Sequence, residues 1–152
     1  MWEPLQRYRA LDRESRRIFR RAAVLLPWIR VSLRFRGYNP TFSALQNHLG
    51  FPPATPVAGR EHAQRVTRMV QAAVRYSLWR FTCLEESLCL WYLLRELGIA
   101  SQLRIGVRKT QGKFEAHAWV ECGGEAVNQP EAAHVHYAAF DKEFSEPPGD
   151  LS

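Results

Sequence analysis

Hydrophobic residues recur at helical spacing through the first half of the chain. Residues 10–35 and residues 60–80 each follow a period of about 3.6 residues, and Pro27 predicts a kink in the first of these helices. A shorter helix is predicted for residues 39–50, because an Asn-Pro pair marks its start and a glycine marks its end. Three prolines in residues 51–59 predict an extended connector. The first half is therefore predicted to be helical.

The spacing of apolar residues changes in the second half. Residues 83–97 predict one more helix, preceded by a threonine suited to cap it and followed by a glycine that ends it. Residues 101–108 and 114–121 alternate between apolar and polar side chains, which predicts two β-strands. A glycine pair then predicts a turn into a short third strand. Helices followed by one helix packed on a small antiparallel sheet form an α+β fold.

The composition is that of one folded domain. Of the 152 residues, 46% are hydrophobic and 24% are charged, which is typical of a globular protein rather than a disordered one. No apolar run approaches the roughly 20 residues that span a bilayer, and the arginine-rich N-terminus lacks the pattern of a signal peptide. The three cysteines, Cys83, Cys89 and Cys122, show no disulfide framework. These features predict a cytoplasmic protein.

Positive charge is concentrated near the N-terminus. The chain has a net charge of +6, and its first 36 residues hold ten arginines against three acidic residues. Two pairs, Arg16-Arg17 and Arg20-Arg21, are interpreted either as a solvated helix face or as a docking site for an acidic peptide or protein. The apolar residues 22–29 beside them could face a partner or rest weakly on a membrane surface. No nucleic-acid-binding motif accompanies the charge, so nucleic acid is not an expected partner.

Candidate chemistry lies at Cys83 and His117. Cys83 stands at the start of the helix predicted for residues 83–97, and His117 lies within the second predicted strand. The positive end of a helix lowers the pKa of a cysteine thiol, and a neighbouring imidazole lowers it further. The unpaired N–H groups at a helix start can also hold an oxyanion. A thiol on a helix with a base on a strand predicts a cysteine enzyme that performs acyl transfer.

Four segments around these residues resemble the lasso-peptide maturation proteases. They are residues 83–91, 94–99, 105–107 and 114–121, and the run Ala-His-Ala-Trp-Val-Glu in the last is the most specific. These proteases are transglutaminase-like cysteine enzymes that remove the leader from a ribosomally made precursor. The resemblance covers roughly residues 77–129 and implies a transglutaminase/papain-like core. It points to the split type, in which a separate small protein recognises the leader.

The resemblance implies a role for each matching residue. Cys83 is the nucleophile, its backbone N–H helps to bind the oxyanion, and His117 is the general base. The family has an aspartate twelve residues beyond its histidine, where this chain has Gln129. A three-residue turn after the second strand would place Gln129 opposite His117, whereas a two-residue turn would place Asn128 on the diagonal. Trp119 is interpreted either as a wall of the active site or as a core aromatic.

The same interpretation divides the chain and supplies partners. Residues 1–76 form a helical region that docks the leader or its binding protein, residues 77–145 form the catalytic core, and residues 146–152 form a tail. The expected partners are the lasso precursor peptide, a small leader-recognition protein, and an ATP-dependent macrolactam cyclase that uses the freed amine. Neither a cofactor nor a metal is expected, since His134 and His136 match no familiar zinc spacing. An acyltransferase of the same fold and a peptide-binding module that has lost catalysis are the alternatives.

Overall fold

The computed structural model describes residues 3–49, 60–128 and 138–139, and within them the chain forms five helices and four strands. The helices are α1 (Glu3–Ala10), α2 (Arg13–Arg36), α3 (Tyr38–Leu49), α4 (Arg60–Tyr76) and α5 (Cys83–Glu96). The strands are β1 (Gln102–Thr110), β2 (Lys113–Cys122), β3 (Glu125–Ala126) and β4 (Ala138–Ala139). They form one antiparallel sheet in the order β3-β2-β1-β4. The predicted α+β plan is therefore confirmed, whereas the predicted connector at residues 51–59 lies outside the described residues.

A short helix that the apolar spacing did not predict, α1, precedes the helix predicted for residues 10–35, which is observed as α2. Asp12 lies between the two helices and caps α2, because its side chain accepts a hydrogen bond from the Ser15 N–H at 3.3 Å. From there α2 continues through Pro27 and is capped by Gly37. The φ of Gly37 is 81°, a left-handed conformation that glycine adopts without strain. Pro27 has no N–H, so the carbonyl of Ala23 on the exposed side of α2 lacks its helical donor. No described helix is long and apolar enough to cross a membrane, α2 included.

Local signals fix both ends of α5. Thr82 caps the start, and at the other end Gly98 has a φ of 78°. The N–H of Ile99 donates to the carbonyl of Leu94 at 2.9 Å, which gives the bond pattern of a Schellman motif. The helix begins at the predicted residue, Cys83, and ends one residue earlier than predicted. The preceding helix, α4, ends four residues before its predicted limit, and an irregular segment leads from it into α5.

Helix α5 is the centre of the fold. Every residue from Ser87 to Leu94 is buried, so burial is not confined to one face of the helix. A helix that is apolar on all sides must be covered on all sides, and α5 is packed by α2, α3 and α4 and by the two long strands. The hydrophobic core around α5 contains residues of α2, α4, α5, β1 and β2. Among them are Leu26, Ile29, Val66, Val70, Leu88, Leu90, Leu94, Leu103 and Val120.

Strand β2 has a two-residue turn at each of its ends. Gln111 and Gly112 join it to β1 with φ values of 52° and 79°, so the connection is shorter than the predicted turn of residues 109–113. In the resulting register His117 lies opposite Gly106. Because glycine carries no side chain, nothing on β1 projects beside the imidazole from the directly paired position.

Candidate active site

The N-terminus of α5 is organised by a capping box. The Thr82 hydroxyl accepts a hydrogen bond from the Glu85 N–H at 3.2 Å, and the Glu85 carboxylate accepts one from the Thr82 N–H at 2.8 Å. Cys83, the first helical residue, is half-buried. The N–H groups of Cys83 and Leu84 find no acceptor among the described residues. Two donors are thus open at the end of the helix where an oxyanion would be stabilised.

The two acidic residues beside Cys83 have separate surroundings. Glu85 is only 7% exposed, and its carboxylate lies 3.8 Å from the Arg30 guanidinium in addition to capping Thr82. Glu86 is half-buried, and desolvation raises the pKa of its carboxyl group. The capping box therefore gives Glu85 a structural role at the start of α5.

His117 lies on β2, half-buried and beside a fixed aromatic ring. Its ring centroid is 6.1 Å from that of Trp119, with an angle of 22° between the ring planes. Trp119 is 1% exposed, and its indole N–H donates to the Glu121 carboxylate at 3.0 Å. The other carboxylate oxygen of Glu121 is 3.7 Å from Arg104. Trp119 is therefore a buried aromatic whose ring neighbours that of His117.

A buried hydrogen-bond bridge joins α5 to β2. The Ser87 hydroxyl donates to the carbonyl of Ala118 at 3.1 Å and accepts from the Asn128 amide, also at 3.1 Å. The Asn128 amide oxygen accepts from the Val120 N–H at 2.9 Å. Ser87 lies one helical turn beyond Cys83, and Ala118 directly follows His117. The bridge thereby holds together the segments that carry the two candidate catalytic residues.

The turn after β2 has two residues, Gly123 and Gly124, because Cys122 pairs with Glu125. The three-residue alternative is therefore wrong, and the register is the one expected to place Asn128 diagonal to His117. Both ends of the Asn128 amide nevertheless take part in the bridge to α5. Gln129 lies outside the described residues, so its role as third catalytic residue stays a prediction.

Replacing Asn128 with alanine is expected to lower the free energy of unfolding by about 1–3 kcal/mol, because the buried Ser87 hydroxyl and Val120 N–H each lose a partner. Chemical denaturation measures this change. The exposed Gln71→Ala substitution on α4 is the control, and a change within about 0.5 kcal/mol is expected for it. An Asn128→Ala protein of unchanged stability would show that the bridge does not support the fold.

The other two cysteines differ from Cys83 in their surroundings. Cys89 is fully buried, and both desolvation and the nearby Glu86 carboxylate raise the pKa of its thiol. Burial raises the pKa of the half-buried Cys122 thiol to about 11. Neither thiol forms appreciable thiolate near neutral pH, so neither is suited to nucleophilic attack.

Brief treatment of the folded protein with iodoacetamide at about pH 7 is expected to modify Cys83 first, because Cys89 and Cys122 are held as thiols. Peptide mass spectrometry locates the modified residue. In denaturant all three cysteines should react at similar rates, which is the control for intrinsic reactivity. Preferential labelling of Cys122 in the folded protein would contradict this assignment.

The arginine pairs predicted to dock a partner lie on α2. Arg17, Arg20 and Arg21 line an open groove of about 590 Å³ together with Val24, Leu25, Trp28 and Tyr92. Arg16 is half-buried and is not among the lining residues. Arg21 is paired with Glu96 at 2.6 Å, whereas Arg17 and Arg20 have no acidic partner in the described part of the chain.

The apolar stretch beside these arginines is divided between two environments. Ala22, Leu26 and Ile29 enter the core. Four other apolar residues of α2 project outward along a single stripe: Val24 (74% exposed), Trp28 (42%), Val31 (50%) and Phe35 (78%). This stripe, together with Arg17 and Arg20, forms the outer face of α2. A run of exposed apolar residues at helical spacing is typical of a protein or membrane contact.

Among the described residues, no group of three or more His, Cys, Asp or Glu side chains is arranged to hold a metal ion. His134 and His136 lie outside these residues.

Comparison with known proteins gives one match. The family model described as the transglutaminase-like superfamily matches residues 25–140, a segment that begins within α2 and extends past the hairpin of β1 and β2. No curated protein and no solved structure matches the chain significantly.

Proposed function

The chain belongs to the transglutaminase-like superfamily, and on that premise we propose that it is a cysteine peptidase that removes the leader from a lasso-peptide precursor. Members of this superfamily are typically cysteine proteases or acyltransferases. The observation that carries the proposal is the position of Cys83 as first residue of α5, beside two open N–H donors. The resemblance of residues 114–121 to the lasso-peptide maturation proteases supports the choice of substrate.

The reaction begins at the amide that joins leader and core. The Cys83 thiolate attacks the carbonyl carbon, and the backbone N–H groups of Cys83 and Leu84 bind the oxyanion that forms. His117, which took the thiol proton, gives it to the departing amine, so the core peptide leaves with a free N-terminus. Water, activated by His117, then hydrolyses the thioester and releases the leader as a carboxylate.

A third residue would orient the imidazole. Gln129 is proposed from the family position, and Asn128 is the alternative from the strand register. An amide oxygen at either position can accept a hydrogen bond from the imidazole and fix its tautomer. Unlike the aspartate of the family, an amide carries no charge, so it stabilises the imidazolium less well.

The two alternatives differ from this proposal at defined points. An acyltransferase would pass the same acyl-enzyme to an amine, and the leader would then appear as an amide instead of a carboxylate. A binding module without catalysis would dock the peptide without forming the thioester, and the amide at the third position, where the family has an acid, agrees with this alternative. Mass spectrometry of the products separates all three.

We propose reconstitution as the test of function. The chain is mixed with a lasso precursor and a leader-recognition protein encoded beside it, and the products are identified by mass spectrometry. Release of a leader with a free carboxylate and of a core with a free amine supports the peptidase, and no conversion contradicts it. The free amine would then be available to the macrolactam cyclase, and the three proteins would act together in the cytoplasm.

The outer face of α2 is the proposed docking site for the leader-recognition protein or the leader it carries. Its apolar stripe would receive apolar side chains, and Arg17 and Arg20 would receive acidic ones. An anionic membrane is the less favoured occupant, because the arginines precede the apolar residues along one face instead of flanking them on both sides, and the groove between α2 and Tyr92 is concave. Docking would hold the leader near Cys83 and raise its effective concentration there.

Replacing Arg17 and Arg20 with glutamine is expected to weaken association with the leader-bearing partner by about tenfold at low salt, and by less at high salt, where such attraction is screened. Calorimetry at two salt concentrations measures this difference. The Arg7→Gln/Arg9→Gln variant removes the same charge from exposed positions of α1 and is the control. Equal weakening by both variants would indicate a general charge effect instead of a docking site, and weakened binding to anionic vesicles alone would identify a membrane contact.

A further inference from the structure

Arg30 of α2 reaches the segment that surrounds Cys83. Its guanidinium donates a hydrogen bond to the carbonyl of Arg80, and its central carbon lies 5.8 Å from the centre of the Phe81 ring. The same guanidinium is 3.8 Å from the Glu85 carboxylate. Arg30 therefore contacts the chain on both sides of Cys83, before it at residues 80 and 81 and after it in the first turn of α5.

The contact with Glu85 matters because this carboxylate is buried two residues from the thiol. A buried negative charge disfavours a second one nearby, and the low polarity of a protein interior strengthens the effect. In the described part of the chain, the basic side chain that lies within ion-pair distance of the Glu85 carboxylate is that of Arg30. Its positive charge offsets Glu85, which could otherwise oppose ionisation of Cys83.

Other titratable groups belong to this turn or to elements packed against α5. Glu86 belongs to the same turn of α5, and burial raises the pKa of its carboxyl group. Arg80 precedes the helix, and His117 lies on the strand that packs against α5. None of these substitutes for Arg30, because only its guanidinium contacts Arg80, Phe81 and Glu85 together among the described residues.

We infer that Arg30 is a positioning residue for Cys83: it holds the segment from residue 80 to residue 85 in place and offsets the Glu85 charge two residues from the thiol. The importance of this device for cleavage rests on the proposed function. Its effect on the thiol does not, because alkylation of Cys83 can be followed without any peptide substrate.

The experiment measures the rate of Cys83 alkylation by iodoacetamide as a function of pH in the intact chain. Arg30→Gln is expected to move the midpoint of the profile upward by about one pH unit and to slow alkylation at about pH 7 roughly tenfold. Adding Glu85→Gln, which retains an oxygen to cap Thr82, should return the midpoint most of the way. Arg34→Gln, an exposed change one turn along α2, is the control and should leave the midpoint in place.

An Arg30→Gln protein that is folded and has the unaltered midpoint would overturn the inference, since a purely structural contact has no reason to couple to the ionisation of the thiol. If Arg30→Gln does not fold, Glu85→Gln in the native background carries the test. Its midpoint should fall, because Arg30 would face Cys83 without its counter-charge, and an unchanged midpoint contradicts the inference. A shifted midpoint in a chain that cleaves no precursor would uphold the role of Arg30 and reject the peptidase, so the two failures are distinguishable.

Discussion

Replacing Cys83 with alanine is expected to abolish leader cleavage, with a loss of about a thousandfold or more in rate, while the domain stays folded. The thiolate is the group that forms the acyl-enzyme, and no other described cysteine can replace it, because Cys89 is fully buried and the Cys122 thiol is held protonated. Stability should change little, because Cys83 is half-buried at the first turn and alanine is well tolerated in a helix. Mass spectrometry of the precursor and a thermal melt measure the two quantities.

The matched control for this substitution is Cys122→Ser. It removes a half-buried thiol from the end of β2 and should leave cleavage close to the native rate. Cleavage that persists in the Cys83→Ala protein would remove the covalent mechanism entirely. Cleavage lost in the Cys122→Ser protein with the fold intact would move the nucleophile to Cys122, at the end of β2.

His117→Ala is expected to lower the cleavage rate by about a hundredfold to ten-thousandfold, the range found for general acid–base groups. The size of the loss should depend on the pH and on the leaving group of the substrate. Raising the pH would restore alkylation of Cys83, because the thiol can then ionise without a base. It would not restore amide cleavage, because the departing amine still lacks a proton donor. An activated ester, whose leaving group needs no proton, should be cleaved with a much smaller loss.

His62→Ala supplies the comparison for His117. This half-buried histidine lies in the first turn of α4, with its imidazole 3.4 Å from Glu14, and its loss should not affect the ester or the amide reaction. Equal losses on ester and amide substrates in the His117→Ala protein would argue that the imidazole supports the structure of the site, not the proton transfer.

The parts of the fold that could be predicted from the sequence are those that local signals determine. The start and end of α5 follow from Thr82, which caps it, and from Gly98, which can adopt the positive φ of a helix terminus. The alternating strands follow from the period of two. Helix α1 was not predicted, because none of its residues is buried and it has no apolar stripe facing the core.

The contacts that organise the candidate site join distant parts of the chain and have no local signal. Arg30 and Arg80 are 50 positions apart, and Ser87 and Asn128 are 41 positions apart. A single sequence cannot tell an arginine that reaches such a partner from one that faces solvent. The turn after β2 presented the same difficulty, since glycines permit both lengths, and only the pairing of Cys122 with Glu125 decides between them.

The tight connections on either side of β2 restrict how this chain can vary in length. One residue added at Gln111-Gly112 or at Gly123-Gly124 would force either a bulge or a slip of the strand, and a slip would exchange the side chains on the two surfaces of the sheet. Insertions and deletions that preserve His117 are therefore expected to accumulate in the links between the helices, where added length leaves the strands unshifted.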